Sequence, residues 1–373
     1  MQIVAAIIIL SVLVILHELG HLVVALLAKV KVEEFGLGYP PKIWKIFRKW
    51  GVDFTLNAIP FGGFVRLYGE DATEESGVKG EFITASLKAK LAIMLAGVTT
   101  NALVGIGLLC IVFISTGVPQ KISDARIGYV QPDSPAAKAG LKEYDSIKQI
   151  LAAGQTIDVN SPAQVRDVVN QHYGENVQLA IQRDCRTQSC SQPLELIDVT
   201  LRQKAETGPD KGTLGVAFLE IVYMHYSFPL SVPMALKGSV EQSLLMTQMI
   251  LSTLRDMMGR LVTKGELASE ISGPVGIVHA VGSQQMLSGG WQVVLSFAGA
   301  LSVNLAIMNI LPIPPLDGGK VVLSLLGKFW GKKGKKIDQY LNYFGYFALL
   351  GLIIAVTARD IWRIVTNTLP FVK

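Results

Sequence analysis

Apolar residues in this chain gather into long unbroken runs, with short alternating stretches between them. Crossing a bilayer as a helix needs about 20 mostly apolar residues. Four runs meet that length and predict spanning helices: 3–28 (IVAAIIILSVLVILHELGHLVVALLA), 91–117, 291–311 and 340–357. A cleaved signal peptide is the competing reading of the first. No basic stretch precedes it and its apolar run is too long, so a retained helix is expected. A fifth segment, 243–262, differs in kind. Leu244, Leu251, Leu254, Met258 and Leu261 recur at helical spacing, but Gln248, Arg255, Asp256 and Arg260 interrupt them. It reads as an amphipathic helix lying on the membrane or on the protein, or as a soluble core helix.

Between the second and third runs the pattern shortens. Residues 119–205 read as a compact α/β module: strand, turn, short helix and strand in IGYVQPDSPAAKAGLKEYDSIKQI, then a helix in SPAQVRDVVNQH with Ser161 as N-cap and Pro162 at its first position. NVQLAIQRD and LELIDVTLRQ alternate like a hairpin. The order resembles a circularly permuted bacterial PDZ domain, whose S-P-A-x-x-A-G-L-x-x-G-D-x-I pattern matches SPAAKAGLKEYDSI except that Tyr144 stands where the pattern has Gly. Such a module either binds chain ends by strand addition or acts as a passive steric filter. Cys185 and Cys190 at the hairpin tip are a disulfide candidate outside the cytoplasm, while Cys110 in the second run is a buried apolar residue. Residues 53–70 (DFTLNAIPFGGFVRLYGE) carry β-type residues and a Gly pair, predicting a β-hairpin or sheet that re-enters toward the membrane, or an ordinary hairpin.

Composition sharpens this picture. Half of the 373 residues are hydrophobic, as expected of a membrane protein. The net charge of +5 comes from clusters such as KVKVEE, KIWKIFRK and GKFWGKKGKK beside the runs. Those clusters are a topology signal and give no nucleic-acid footprint. With four spans, loops 29–90 and 320–336 fall on the cytoplasmic side, and 118–288 and both termini fall outside it.

Within the first run sit His17, Glu18 and His21, an H-E-x-x-H pattern. Ionisable groups in lipid cost about 2.5–3.5 kcal/mol each, so they mark function or a polar cluster that glues helices. On a helix, positions i and i+4 share one face, so both imidazoles can reach one zinc ion with Glu18 beside them as general base. A third ligand is needed. Asp317, in NLAIMNILPIPPLDGGK, directly follows the third span. The first and third spans run parallel, so the histidines and Asp317 come to the same side. Had 243–262 also crossed, Asp317 would be stranded opposite. Pro312, Pro314 and Pro315 break the helix, and Gly318 and Gly319 permit a tight turn; a plain loop with a capping Asp is the bland alternative. Asn304 and Asn309 in the third span are polar amides that bond a neighbouring helix or serve the site.

H-E-L-G-H at 17–21, N-x-L-P-I-P-P-L-D-G-G at 309–319, G-P-V-G-I at 273–277 and the PDZ-like insert together resemble the site-2 protease family of intramembrane zinc metalloproteases, in its bacterial sigma-E-regulating (RseP-like) form. The resemblance covers nearly the whole chain, though some relatives carry two PDZ modules and this chain has room for one. It implies a polytopic α-helical membrane protein with four transmembrane helices, a re-entrant β element and an inserted α/β PDZ-like domain. By that likeness His17, His21 and Asp317 bind one Zn2+ per chain, Glu18 activates water, and Asn304 and Asn309 hold the substrate backbone. The re-entrant sheet would take the substrate as an edge strand. Expected substrates are single-span membrane proteins, such as anti-sigma factors shortened by an upstream site-1 protease, or remnant signal peptides. The expected place is the bacterial inner membrane. The rivals are a catalytically inactive scaffold or chaperone, against which the complete motif set argues, and a transporter, for which no inverted repeat is visible. The expected segments are 1–30 (first span with H-E-x-x-H), 31–88 (cytoplasmic-side loop with the re-entrant hairpin), 89–118 (second span) and 119–205 (PDZ-like domain). There follow 206–288 (linker with the amphipathic helix), 289–319 (third span and L-D-G), 320–336 (basic loop) and 337–373 (fourth span and C-terminus).

Overall fold

Leu, Ile, Val and Ala fill the first run with no internal proline, and they fold as one continuous helix, α1 (Gln2–Leu27). This computed structural model describes residues 2–70, 76–186, 190, 192–208, 211–264 and 289–366. The chain divides into two units, Thr116–Met234 and the remainder, Met1–Ser115 with Ala235–Lys373. The G-P-V-G-I motif and His279 lie outside the described residues.

The larger unit holds the apolar helices. Among the described residues three are long and apolar enough to cross a membrane: Val4–Leu27 of α1, Leu87–Thr116 (α2) and Trp291–Ile310 (α6). Their outward faces remain apolar, with Val4, Ile8, Leu103 and Ile111 exposed. In water such faces would be unfavourable; in lipid they are matched to their solvent. The inward faces use small residues for close approach. Gly20 of α1 meets Ala96 and Thr100 of α2, and Gly105 of α2 meets Gly299 and Val303 of α6.

α5 (Ser231–Lys264) inverts the usual amphipathic arrangement. Its buried side is small and polar, with Ala235, Ser239 and Ser243, whereas Val232, Leu236, Val240, Leu244 and Met249 are exposed. Ile250 packs on Leu109, Val303 and Ile307 of α2 and α6. A soluble core helix would bury the large apolar residues, so that alternative is set aside.

The start of α7 (Asp317–Val365) and the segment after it correct two expectations. Residues 320–336 are not a loop, because α7 runs helical from Asp317 to Val365 with no proline to stop it. It cannot be straight: Gly319 lies against Ile313 and Pro314 and Gly345 also lies against Pro314, although about 39 Å of straight helix would separate those glycines. Gly318 and Gly319 form no tight turn. They sit in the first turn of α7, where a Cβ would strike the Ile310 and Ile313 carbonyls.

Between α1 and α2, β1 (Val32–Lys49) and β2 (Val52–Leu67) pair as a ribbon that folds over itself, antiparallel at its two outer pairings. Trp50 and Gly51 both have positive φ and make the two-residue turn between them. Lys49 to Lys42 pairs with Val52 to Asn57, Glu34 to Leu37 pairs with Asp53 to Leu56, and Phe35 to Leu37 also pairs with Val65 to Gly63. The result is four segments side by side: 42–49, 52–57, 32–39 and 59–67. Expecting strand only from 53 onward missed the first half of this sheet. Phe35, Val52 and Leu67 bury against Leu22 and Ala25 of α1 and Ile93 of α2, which fixes the sheet to the helices.

The smaller unit is built on strands β3 (Val118–Lys121), β4 (Ala125–Val130), β5 (Ser146–Ala152), β6 (Gln155–Asp158), β7 (Asn176–Gln182), β8 (Leu194–Thr200), β9 (Val216–Phe218) and β10 (Ile221–Met224), with short helices α3 (Pro135–Lys138) and α4 (Pro162–Val169). The main sheet runs β8-β7-β5-β4-β9, with β6 on β5, and β10 pairs separately with β3. Val165 and Val169, one turn apart on α4, bury on Ile147, Ile150, Leu179 and Val199. Ser161 Oγ accepts from Gln164 N at 3.3 Å, the expected N-cap. The unit extends past the expected boundary at 205. Residues 216–224 are not linker, because β9 completes the sheet beside β4 and β10 returns to β3.

Tyr144 adopts φ +68°, the left-handed region that a Gly would occupy. Tyr144 thus carries a large side chain in a conformation that ordinarily favours Gly. Its carbonyl accepts from Cys185 N at 2.7 Å. Cys185 is joined to Cys190 by a disulfide. Beneath them Arg126, 1% exposed, donates to Cys185 O and to Asp124. Burial pushes the Asp124 carboxyl up, but bonds from Arg126, Ser146 and Lys148 outweigh it and hold the group below the usual range.

Candidate metal centre

The helical repeat of α1 sets His17 and His21 one above the other, with ring centroids 4.8 Å apart. Their Nε2 atoms stand 3.2 Å from each other. Asp317 opens α7 after the proline-broken segment, and its Oδ2 lies 3.0 Å from His17 Nε2 and 3.3 Å from His21 Nε2. Three ligand atoms thus form a closed triangle, the one group of His, Cys, Asp or Glu among the described residues arranged to hold a metal.

The protons decide what this triangle is for. His21 Nδ1 lies 2.7 Å from the Ile93 carbonyl oxygen. A carbonyl only accepts, so Nδ1 carries a proton, and a neutral ring presents its Nε2 lone pair. That lone pair faces the buried Asp317 Oδ2. Two electron-rich atoms so close repel unless a proton or a metal ion lies between them. Zinc bonds of about 2.0–2.2 Å in tetrahedral geometry put ligand atoms about 3.3–3.6 Å apart. The observed edges of 3.0, 3.2 and 3.3 Å lie at or just below that range, so a bound ion would spread the triangle slightly.

α2 backs the triangle. Ile93, Gly97 and Asn101 recur every four residues and so share one face. A Cβ on Gly97 would overlap both imidazoles, so only glycine lets α2 approach this closely. Asn101 is fully buried and its Nδ2 lies 3.3 Å from His17 Nδ1. Glu18 turns toward the sheet, where its Oε2 accepts from Val65 N at 3.1 Å. Glu18, His21 and Asp317 line a cavity of about 190 Å3 with Phe64, Glu70 and Lys320. Lys320 Nζ donates to Glu70 Oε1 at 2.9 Å across it.

The other residues singled out from the sequence fall elsewhere. Asn304 and Asn309 are half-buried on α6, with no side-chain hydrogen bond among the described residues. His172 pairs with Glu175 and His225 packs near Gly117, both within the smaller unit. Gly97 and Asn101 were missed; a lone Asn inside an apolar run was the available signal.

The profile of Peptidase family M50 matches residues 5–352. A protein of Clostridium acetobutylicum assigned by name to the zinc metalloproteases is 30% identical over 96% of this chain and 97% of its own length. The zinc metalloprotease RasP of Geobacillus kaustophilus is 25% identical, over 97% of this chain and 98% of its own length. RasP of Oceanobacillus iheyensis is 26% identical, over 97% and 99%. The match over nearly its whole length places the chain in peptidase family M50, the site-2 protease family, as a membrane-embedded zinc metalloprotease.

Proposed function

We propose that His17, His21 and Asp317 hold the zinc and that Glu18 is the general base in hydrolysis of a peptide bond within, or at the edge of, a transmembrane segment. The observation that carries this is the triangle of two imidazole nitrogens and one buried carboxylate oxygen, inside helices otherwise apolar. Bound zinc supplies a Lewis acid and a water whose pKa falls to about 7. The chain's own groups do the rest. Glu18 spends Oε2 on Val65 N–H, leaving Oε1 to take the proton of the attacking water and hand it to the leaving amine. The cavity beside Glu18 and Lys320 gives that water a place among polar groups.

A helical substrate must unwind before its carbonyl is exposed, and its freed backbone groups then need partners. Segment 59–67 is an outer segment of the β1–β2 sheet and the Val65 N–H is directed at Glu18, which supports strand addition beside the catalytic base. The amides of Asn304 and Asn309, which make no side-chain hydrogen bond among the described residues, would take the remaining groups. In the four-span reading, 340–357 within α7 supplies the last crossing. His21 and Asp317 then lie toward the cytoplasm, and the Thr116–Met234 unit outside it in the bacterial inner membrane. The element order of that unit supports a PDZ-like filter against bulky ectodomains, and its disulfide suits an oxidising compartment. Substrates would be single-span proteins already shortened by a first protease, such as anti-sigma factors, or remnant signal peptides.

The test is cleavage of a single-span reporter with a short outer tail. The unsubstituted protein should cut within or beside the span, and Glu18→Gln should hold the uncut reporter. Cutting by Glu18→Gln at the unsubstituted rate would remove Glu18 from its role.

A further inference from the structure

The two histidines share a helix, yet their outer nitrogens meet different partners. His21 Nδ1 faces a backbone carbonyl, which fixes its tautomer. His17 Nδ1 faces the carboxamide of Asn101, which can present either end. If Nδ2 faces the ring, it donates to a bare Nδ1. The ring proton then sits on Nε2 and closes that nitrogen to a metal. If Oδ1 faces the ring, it accepts from Nδ1–H and leaves the Nε2 lone pair aimed at the triangle. As placed, Nδ2 faces the ring and the buried Oδ1 has no partner, so no competing bond opposes a half-turn of the amide. Ser302 Oγ of α6 donates to Asn101 O at 2.7 Å, a bond to the backbone that does not touch the amide.

We propose that Asn101 is a positioning residue that sets the His17 tautomer by turning Oδ1 toward Nδ1–H. α2 then completes the metal centre with a backbone carbonyl for one histidine and a carboxamide for the other. The proposal rests on His17, His21 and Asp317 being the zinc ligands. Outer partners of this kind are worth about 10–100-fold in metal affinity.

Zinc affinity measured by chelator competition in detergent provides the first test. Asn101→Leu should weaken binding by about 10–100-fold, and Asn101→Asp, which keeps an acceptor, should restore it. Ser302→Ala, which removes only the bond to the Asn101 backbone, should leave affinity unchanged. Equal affinity in Asn101→Leu, no recovery in Asn101→Asp, or an equal loss in Ser302→Ala would each overturn the proposal. A second test needs no variant: 15N spectra of histidine-labelled, metal-free protein should show the His17 proton on Nδ1, and a proton on Nε2 would refute the assignment. Failure of the ligand reading itself looks different, since the unsubstituted protein would then take up no zinc.

Discussion

Gly97 offers a sharp perturbation, because one added methyl is directed at the centre of the site. A Cβ there would stand within 2.6 Å of His17 Nε2 and as close to His21 Nε2 and His17 Cε1. Non-bonded contact needs about 3.5–4.0 Å, so in Gly97→Ala the rings or the helix must retreat by about 1 Å. Metal–ligand bonds tolerate only about 0.2 Å. The strain therefore falls on the metal-bound geometry. Overpacking of this kind costs about 1–3 kcal/mol, which converts to a loss of about 5- to 150-fold in zinc affinity. Gly107 lies on the same helix with nothing within 4 Å of its Cβ position, so Gly107→Ala should leave affinity unchanged and gain up to about 1 kcal/mol in helix propensity. Chelator competition on both variants reads the difference. Unaltered zinc binding in Gly97→Ala, or an equal loss in Gly107→Ala, would refute the reasoning.

Other outcomes follow from the smaller unit. Asp124→Asn should destabilise it by about 1.5–3 kcal/mol, since a charged hydrogen-bond partner is taken from the buried Arg126; amide exchange in β4 and β5 would report it. The Asp124 carboxyl is held low, so its contribution is complete above the usual carboxylate value of about 3.9 and fades as pH falls through the lower folded value. Acid unfolding of this unit should be less steep in Asp124→Asn. Cys190→Ser opens a bridge spanning five positions and should cost about 2 kcal/mol under oxidising conditions and nothing after reduction. If the unit filters by size, a reporter with a folded ectodomain should be cut more slowly than one with a short tail, and equal rates would count against the filter.

What was legible in the sequence was what local spacing or chain parity dictates. His17 and His21 meet because four residues make one turn. Asp317 was reachable because it directly follows the third run, and its Oδ2 does lie beside both rings. The basic residues of 42–49 drew attention to charge and hid a strand, because KIWKIFRK shows no period of two before the Trp50–Gly51 turn. β9 and β10 have three and four residues, too few to show a period, and they are strands only because β4 and β3 offer them partners. In α7 the run GKFWGKKGKK read as a loop because charge outweighed the absence of proline. Gly97 and Asn101 were passed over for a different reason, although Asn101 stood out as a lone amide in an apolar run. Their roles exist only once α2 lies against α1, and nothing in local spacing encodes that crossing.

The most direct measurement is zinc per chain in purified, folded protein, read alongside reporter cleavage. We expect about one zinc in the unsubstituted protein and in Glu18→Gln, with cleavage only in the former, and neither zinc nor cleavage in Asp317→Ala. Full zinc occupancy in Asp317→Ala, or none in the unsubstituted protein, would contradict the three-ligand centre.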